Sequence, residues 1–215
     1  MPLYLSVLAI SRIVLLFLML AISGQSLAQE PFFKPDSMRF TFYAGNFDQN
    51  PESQFIGARN TYGYGLNVSA DLNAYPFLGL DFELLGTNQD YDTPVSDPFA
   101  SLDNDTSVQT AGLLVGLRAF YPVNSKFRVY GVAGLGFYYV NMMVTGSVFG
   151  FPGTYEDEDR STEFYYGAGA SYLFDNWIVS IDYRKVNLEG SFAGFGISNA
   201  DLGGEIMALG IGYQF

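Results

Sequence analysis

Apolar and polar residues alternate with a period of two along most of the chain after residue 37, as expected for β-strands with two different faces. In one strand, Leu80 and Phe82 share one face while Gly79, Asp81 and Glu83 share the other. The alternation predicts eight strands, at residues 38–47, 60–72, 77–88, 107–121, 127–140, 162–174, 177–187 and 204–215. The sequence therefore predicts an all-β fold.

The connections between these strands alternate in length. Three are short and rich in Asn, Asp and Pro, which form turns, at residues 73–76, 122–126 and 175–176. The other four are longer, about 12, 19, 21 and 16 residues, and begin near Asp48, Gln89, Asn141 and Leu188. Bacterial outer-membrane barrels combine short periplasmic turns with long external loops in this way. The pattern predicts an eight-stranded antiparallel transmembrane up-and-down β-barrel.

The polar faces of the strands are unusually rich in glycine. Alternate glycines recur at Gly63 and Gly65, Gly134 and Gly136, Gly167 and Gly169, and Gly210 and Gly212. Glycine weakens an exposed strand, whereas small residues make room for large side chains inside a narrow barrel. We therefore expect the polar faces to line a lumen and the apolar faces to contact lipid, the reverse of a soluble β-sandwich.

The N-terminus has the layout of a secretory signal. Arg12 precedes an apolar run from Ile13 to Ile22 and then the small-residue stretch 26–28. The run of about ten residues is shorter than the roughly 20 that a membrane-spanning helix needs. We expect a cleaved signal peptide at residues 1–28, a periplasmic segment at 29–37 and an outer-membrane barrel at 38–215. The chain has no cysteine, so neither a lipid anchor nor a disulfide framework is expected.

Composition agrees with a barrel in the outer membrane, because charged residues make up only 15% of the chain and aromatic residues 17%. Aromatic side chains collect at both membrane interfaces of such barrels. The expected lipid-facing aromatic belts are Phe40, Phe42, Tyr62, Tyr64, Phe137, Tyr139, Phe164, Tyr166, Tyr172, Phe174, Trp177 and Tyr183. Residues 29–215 carry 9 Lys and Arg against 22 Asp and Glu, which disfavours nucleic acid as a partner.

The C-terminal strand carries a further signal. Met207, Leu209, Ile211, Tyr213 and Phe215 alternate with small or polar residues, and the chain ends in Phe. With the glycine-rich, partly aromatic segment 130–136, this ending resembles the OmpA-type eight-stranded outer-membrane barrel superfamily over residues 38–215. The resemblance implies that Tyr213 and Phe215 form an assembly signal for the barrel-assembly machinery. We expect a barrel without the peptidoglycan-binding domain of the founding family, so cell-wall anchoring is not carried over.

Eight charged residues inside the strands fall on the lumen side. They are Arg39, Asp71, Asp81, Glu83, Arg118, Arg128, Asp182 and Arg184. Charges avoid hydrocarbon, and in a narrow lumen they should pair, either as a plug or gate or as static scaffolding. Glu163 is expected to face inward near the external mouth. Glu205 has lipid-side parity, which is tolerable only at the outer rim.

Catalysis and metal binding find little support in the sequence. The chain has no histidine and no cysteine, so the common nucleophile–base pairs and nitrogen or sulfur metal ligands are absent. Asp103 and Asp105, and the acidic run 156–159, have oxygen ligands suited to calcium, but the EF-hand spacing is not met. We therefore expect a solvated acidic loop at 156–159. No enzyme activity, metal site or cofactor is predicted.

The leading functional hypothesis is a monomeric barrel with a structural or surface-interaction role, which maintains membrane integrity and whose loops contact lipopolysaccharide or outside partners. The alternative is a narrow pore or carrier for small or hydrophobic solutes. A third interpretation is a soluble periplasmic β-barrel that binds a ligand.

The orientation of the strands gives a first testable prediction. Leu80→Arg places a charge at the expected bilayer midplane and should destabilise the inserted barrel by about 2 to 4 kcal/mol. The measurement is the folding yield in lipid vesicles, compared with the wild type. Equal yields would contradict the predicted orientation.

Overall fold

A computed structural model describes residues 32–49, 58–91, 105–148 and 151–215, which form ten strands. The strands are β1 Arg39–Gln49, β2 Ala58–Asp71, β3 Leu78–Tyr91, β4 Asp105–Pro122, β5 Phe127–Val148, β6 Phe151–Phe174, β7 Trp177–Val186, β8 Glu189–Phe192, β9 Ile197–Asp201 and β10 Gly204–Gln214. Eight of them close into an antiparallel barrel in the order β1-β10-β7-β6-β5-β4-β3-β2, and β8 and β9 form a separate two-stranded sheet. The predicted eight-stranded antiparallel barrel is confirmed.

The strands are strongly inclined to the barrel axis. The register followed once round the barrel from Tyr138 returns to β5 at Arg128, ten residues away on the same strand. With eight strands and ordinary strand spacing, this stagger corresponds to a tilt of about 40°. A barrel of this size has a lumen that side chains can fill.

Three short turns join strands at one end of the barrel. The side chain of Asn124 accepts hydrogen bonds from the backbone N–H groups of Lys126 and Phe127, both at 2.8 Å. In the turn between β6 and β7, Asp175 adopts a left-handed conformation with φ 53°. These turns lie where the sequence predicted them. No helix in the described part of the chain is long and apolar enough to cross a membrane.

The two faces of the strands point as the alternation predicts. Large apolar side chains are exposed on the outside, including Leu209 at 68% and Phe42 at 64%. Inward polar residues, such as Asp81 on β3 and Asp182 on β7, are buried. The barrel therefore has an apolar outer surface, as expected for a barrel that contacts lipid.

Two strands are much longer than predicted. β5 has 22 residues and β6 has 24, so most of the loop expected to begin near Asn141 is a strand pair. Residues 151–164 of β6 continue beyond Tyr165, the last residue paired with β7, and reach about 35 Å further at about 3.3 Å per residue and the tilt given above. We call the ends of β3, β4, β5 and β6 that project opposite the short turns the extracellular wall, because the long connections are expected on the external side of the membrane.

The loop expected to begin near Leu188 also contains regular structure. Strands β8 and β9 flank a short 3-10 turn at Ala193–Phe195, and we call residues 188–202 the cap. Phe192, Ala200 and Leu202 of the cap are fully buried in one hydrophobic cluster with Val140 and Met142 of the extracellular wall. Packing against the cap thus explains why the wall stays ordered as strand beyond the other barrel strands.

The part of the lumen near the cap departs from the expected polar interior. Inward residues there include Phe47, Leu85 and Ile206, which belong to the same buried hydrophobic cluster as the cap. Alternation in sequence cannot distinguish an apolar side chain that faces lipid from one that faces a cap contributed by a distant loop. The separation of polar lumen from apolar exterior therefore holds for the half of the barrel near the short turns and fails near the cap.

Large tyrosines inside the lumen lie over glycines of neighbouring strands, which gives the second prediction. A methyl group at Gly169 would lie 2.6 Å from the ring carbon Cζ of Tyr130, whereas one at the outward Gly131 would meet nothing closer than 3.7 Å. We expect Gly169→Ala to destabilise the barrel by about 1 to 3 kcal/mol and Gly131→Ala to be nearly neutral. Urea unfolding in vesicles measures both, and equal stabilities would contradict the inferred packing.

Candidate functional site in the lumen and at the extracellular end

The structure places all eight predicted lumen charges inside the barrel. Seven are buried, and Arg128 is half-buried. Each of the eight takes part in at least one ion pair. Four arginines meet four carboxylates, so this group of residues has no net formal charge.

One group of charges lies next to the short turns. Arg39, the first residue of β1, forms two hydrogen bonds of 2.8 Å with the Asp71 carboxylate. Arg128 donates to the same carboxylate at 3.0 Å, and its guanidinium lies 5.1 Å from the Phe120 ring centroid. The Ser37 hydroxyl accepts from the backbone N–H of Asp71. The N-terminal segment, β1, β2 and β5 are thereby connected at this end of the lumen.

A second group forms a closed ring across the lumen. On one side, Arg118 donates to Asp81 at 2.5 Å and Asn67 donates to both Asp81 and Glu83. On the other side, Arg184 contacts Glu83 at 3.3 Å and Asp182 at 3.2 Å.

Tyr130 completes this ring. The centroid of its aromatic ring lies 4.3 Å from the Arg118 guanidinium carbon, which sits over the ring face, and its hydroxyl donates to Asp182 at 2.5 Å. Tyr43 adds a hydrogen bond to Glu83 at 2.5 Å. We call the set Asn67, Asp81, Glu83, Arg118, Tyr130, Asp182 and Arg184 the charge ring. Side chains from opposite walls of the barrel thus meet in the lumen with their polar atoms paired.

Sequence reasoning missed the uncharged members of this network. Asn67, Tyr43 and Tyr130 have the lumen parity of their strands, and this parity was the available signal. Only charged residues were predicted to lie in this cluster, although a buried ion pair needs further hydrogen-bond partners to compensate its desolvation.

The acidic run 156–159 is part of β6, so the prediction of a solvated loop there is wrong. Asp159 accepts a hydrogen bond from the backbone N–H of Ser191 at 2.7 Å, and Asp157 accepts from that of Gly194 at 2.8 Å. The inward acids of the run therefore hold the cap against the extracellular wall. Glu158, on the outward face, accepts a hydrogen bond from the Tyr139 hydroxyl.

The structure describes one of the two remaining acids considered for calcium. Asp105 is exposed at the start of β4, while Asp103 lies outside the described residues. In the described ranges, no group of three or more Asp, Glu, His or Cys residues could hold a metal ion.

Glu163 and Glu205 lie near the extracellular end. Glu163 is half-buried on the inward face of β6 and accepts from the Ser161 hydroxyl at 2.9 Å. Glu205 is the second residue of β10, is exposed and pairs with Lys185 at 3.3 Å. Its side chain has the lipid-side parity of β10, which was expected to be tolerable only at the outer rim, and Glu205 lies at that rim.

The predicted aromatic belt residues all point outward, and none is buried. Near the short turns, four aromatic rings form a chain of edge-to-face contacts in the order Phe40, Phe215, Tyr213 and Trp177, with centroids of successive rings 4.9 to 5.5 Å apart. Toward the other end, Tyr62 stacks on Tyr64. The remaining predicted belt residues are Phe42, Phe137, Tyr139, Phe164, Tyr166, Tyr172, Phe174 and Tyr183. Tyr213 and Phe215 thus contribute to the belt at the short-turn end, and their role as an assembly signal stays a prediction.

The sequence matches the family model described as outer membrane protein beta-barrel domain over residues 14–215. The chain belongs to this family of bacterial outer-membrane β-barrels. A search of curated protein sequences found no significant match.

Solved structures support the same fold. Ail, the attachment invasion locus protein of Yersinia pestis, solved with the heparin analogue sucrose octasulfate, is 19% identical with a TM-score of 0.52, and the match covers 83% of this chain and 97% of Ail. Neisserial surface protein A is 13% identical with a TM-score of 0.53, covering 84% of this chain and 97% of that protein. OprG of Pseudomonas aeruginosa is 14% identical with a TM-score of 0.53, covering 83% and 96%.

The charge ring gives the third prediction. Arg184→Met would leave Glu83 and Asp182 without their shared cation in a buried environment and should destabilise the barrel by about 3 to 5 kcal/mol. Lys185→Met, at the next residue on the outward face, is the matched control and should cost less than about 1 kcal/mol, because its ion pair is partly exposed. Unfolding in vesicles measures both. A cost for Arg184→Met no larger than that for Lys185→Met would contradict this account of the ring.

Proposed function

We propose that this outer-membrane barrel is a sealed, non-catalytic surface protein whose extracellular wall and cap form its binding part. The observation that carries the proposal is the presence of two obstructions in series inside the lumen. The charge ring lies toward the short turns, and the hydrophobic cluster closed by the cap lies toward the opposite end of the barrel. Such a lumen favours a structural or surface-interaction role over a narrow pore or carrier.

The extracellular wall supports the interaction half of this proposal. It extends well beyond the end of β7, and the cap stabilises it through buried apolar residues and the Asp157 and Asp159 hydrogen bonds. A rigid projection of this kind can present a defined surface with little loss of conformational entropy on binding. Arg160 is exposed on the outward face of β6 and is suited to contact phosphate groups of lipopolysaccharide. We propose that the barrel acts as a monomer.

The proposal that the protein is not an enzyme is supported by the use of the buried carboxylates. Asp81, Glu83 and Asp182 each bond to arginine and to a neutral side chain, which leaves them poorly suited to transfer protons to a substrate. Export through a cleaved signal peptide at residues 1–28 stays a prediction, as does the periplasmic assignment of residues 29–37.

The fourth prediction tests the seal by single-channel conductance in planar bilayers. We expect no unit current from the wild type. Arg184→Met, or replacement of cap residues 189–201 by a short Gly-Ser linker, should also fail to conduct, because each change leaves the other obstruction in place. Heat-modifiable gel migration checks that each variant is folded. A large, steady current from the wild type would overturn the sealed-barrel proposal in favour of a pore.

A further inference from the structure

Glu163 is an inward carboxylate that has no cation beside it. The four carboxylates among the lumen charges each pair with arginine, and Asp157 and Asp159 accept backbone N–H groups of the cap. Glu163 accepts a hydrogen bond from the Ser161 hydroxyl at 2.9 Å, but among the described side chains no lysine or arginine forms an ion pair with it. A half-buried carboxylate without a cation is unfavourable, so a positively charged ligand would stabilise it.

A buried hydroxyl without a hydrogen-bond partner lies next to Glu163. Tyr138 is only 3% exposed, and its hydroxyl oxygen is buried and makes no hydrogen bond. This hydroxyl occupies the place where a side chain on Gly136 would begin. Gly136 is the direct partner of Glu163 in the pairing of β5 with β6, and the Cβ positions of directly paired residues lie about 5 Å apart. The Tyr138 hydroxyl therefore lies within reach of a ligand that also contacts Glu163.

The end of β7 leaves an approach to these two groups. β6 pairs with β7 as far as Tyr165 and Val186, and residues 187 and 188, which follow β7, belong to no strand. Ser161 and Glu163 lie just beyond that last pair on the inward face of β6, and both are half-buried. Solvent and small ligands therefore reach Glu163, whereas the Tyr138 hydroxyl forms the closed end of the site.

The oxygen atoms of this site favour a cation that carries several N–H donors. A carboxylate only accepts hydrogen bonds, and the hydroxyls of Ser161 and Tyr138 can each accept one. A primary ammonium group has a positive charge, three donors and no acceptor, so it matches one carboxylate and two hydroxyls. An anion would be repelled by Glu163 and by the inward aspartates further along β6.

We propose that Glu163, Ser161 and Tyr138 form a binding site for a primary ammonium group. The carboxylate supplies the opposite charge, and the two hydroxyls orient the N–H donors. The inference goes beyond the proposed function and is compatible with it, because a ligand that enters beside β6 does not have to cross the sealed lumen. A small ligand with so few contacts binds weakly, with a dissociation constant of about 1 mM.

The experiment uses the full-length protein in phosphatidylcholine nanodiscs, whose lipid has no primary amine. The probes are butylammonium and butyltrimethylammonium, which have the same charge, but only the first has N–H donors. NMR titration follows the backbone amides of residues 136–138 and 161–163 and gives the dissociation constants. Repeating the titration with phosphatidylethanolamine in the nanodiscs distinguishes two sources of the ammonium group. Weaker apparent binding of butylammonium identifies a lipid amine as a competitor, and an unchanged constant identifies a free amine as the ligand.

We expect butylammonium to bind the wild type and butyltrimethylammonium to bind at least fivefold more weakly. Glu163→Gln should weaken butylammonium binding at least fivefold, whereas Glu158→Gln, at an outward acid of the same strand, should alter it less than twofold. Tyr138→Phe should weaken binding at least threefold. Its matched control is Tyr165→Phe, which also removes a buried hydroxyl without a partner, but one that lies over Gly116 of β4, and this change should alter binding less than twofold.

Three results would overturn the inference. They are absence of butylammonium binding, equal binding of the two cations, and an effect of Glu163→Gln no larger than that of Glu158→Gln. Equal binding would mean attraction by the negative surface alone. Heat-modifiable migration shows that each variant folds, and the comparison of the two cations needs only the wild type. A failed titration leaves the sealed-barrel proposal intact, because that proposal is tested separately by conductance.

Discussion

The cost of placing charge in hydrocarbon governs the design of this barrel. A charged residue in a membrane-spanning part of a strand must therefore face the lumen. The lumen is too narrow to solvate these charges fully, so they must form ion pairs and hydrogen bonds with one another. Arginine meets this requirement well because its planar guanidinium can bond two carboxylates at once, as Arg184 does between Glu83 and Asp182. The lipid-facing alternation, the glycines that admit large inward side chains and the filled lumen all follow from this constraint.

Beyond the membrane a different constraint applies, and the molecule changes accordingly. There both faces of the extracellular wall would meet water, and its inward valines and methionine would be exposed without the cap. Phe192 and Leu202 of the cap cover them, and two aspartates fix the cap by accepting its backbone N–H groups. The protein therefore combines a membrane barrel with polar contacts near the short turns and, at the opposite end, a small hydrophobic core like that of a soluble β-protein.

The candidate site shows where the sequence was informative. Parity along each strand indicated the side on which Asp81 or Arg184 would lie, because side chains in a strand alternate strictly between two faces. It could not indicate that Arg118 would contact Asp81 across neighbouring strands, or that Tyr130 would join them, because such contacts depend on register around a closed barrel. The acidic run 156–159 was misassigned for a related reason, since its acids are hydrogen-bonded by a segment more than 30 residues away.

By itself, the sequence determined the number of barrel strands, the face that each turns to lipid, the short turns at one end and the family to which the chain is similar. These properties are local, being set by period-two alternation and turn-forming residues. Only the tertiary structure decided how far β5 and β6 extend, how the long connection after β7 folds and which charges pair. Those outcomes depend on contacts between distant segments, whose energies no local pattern records.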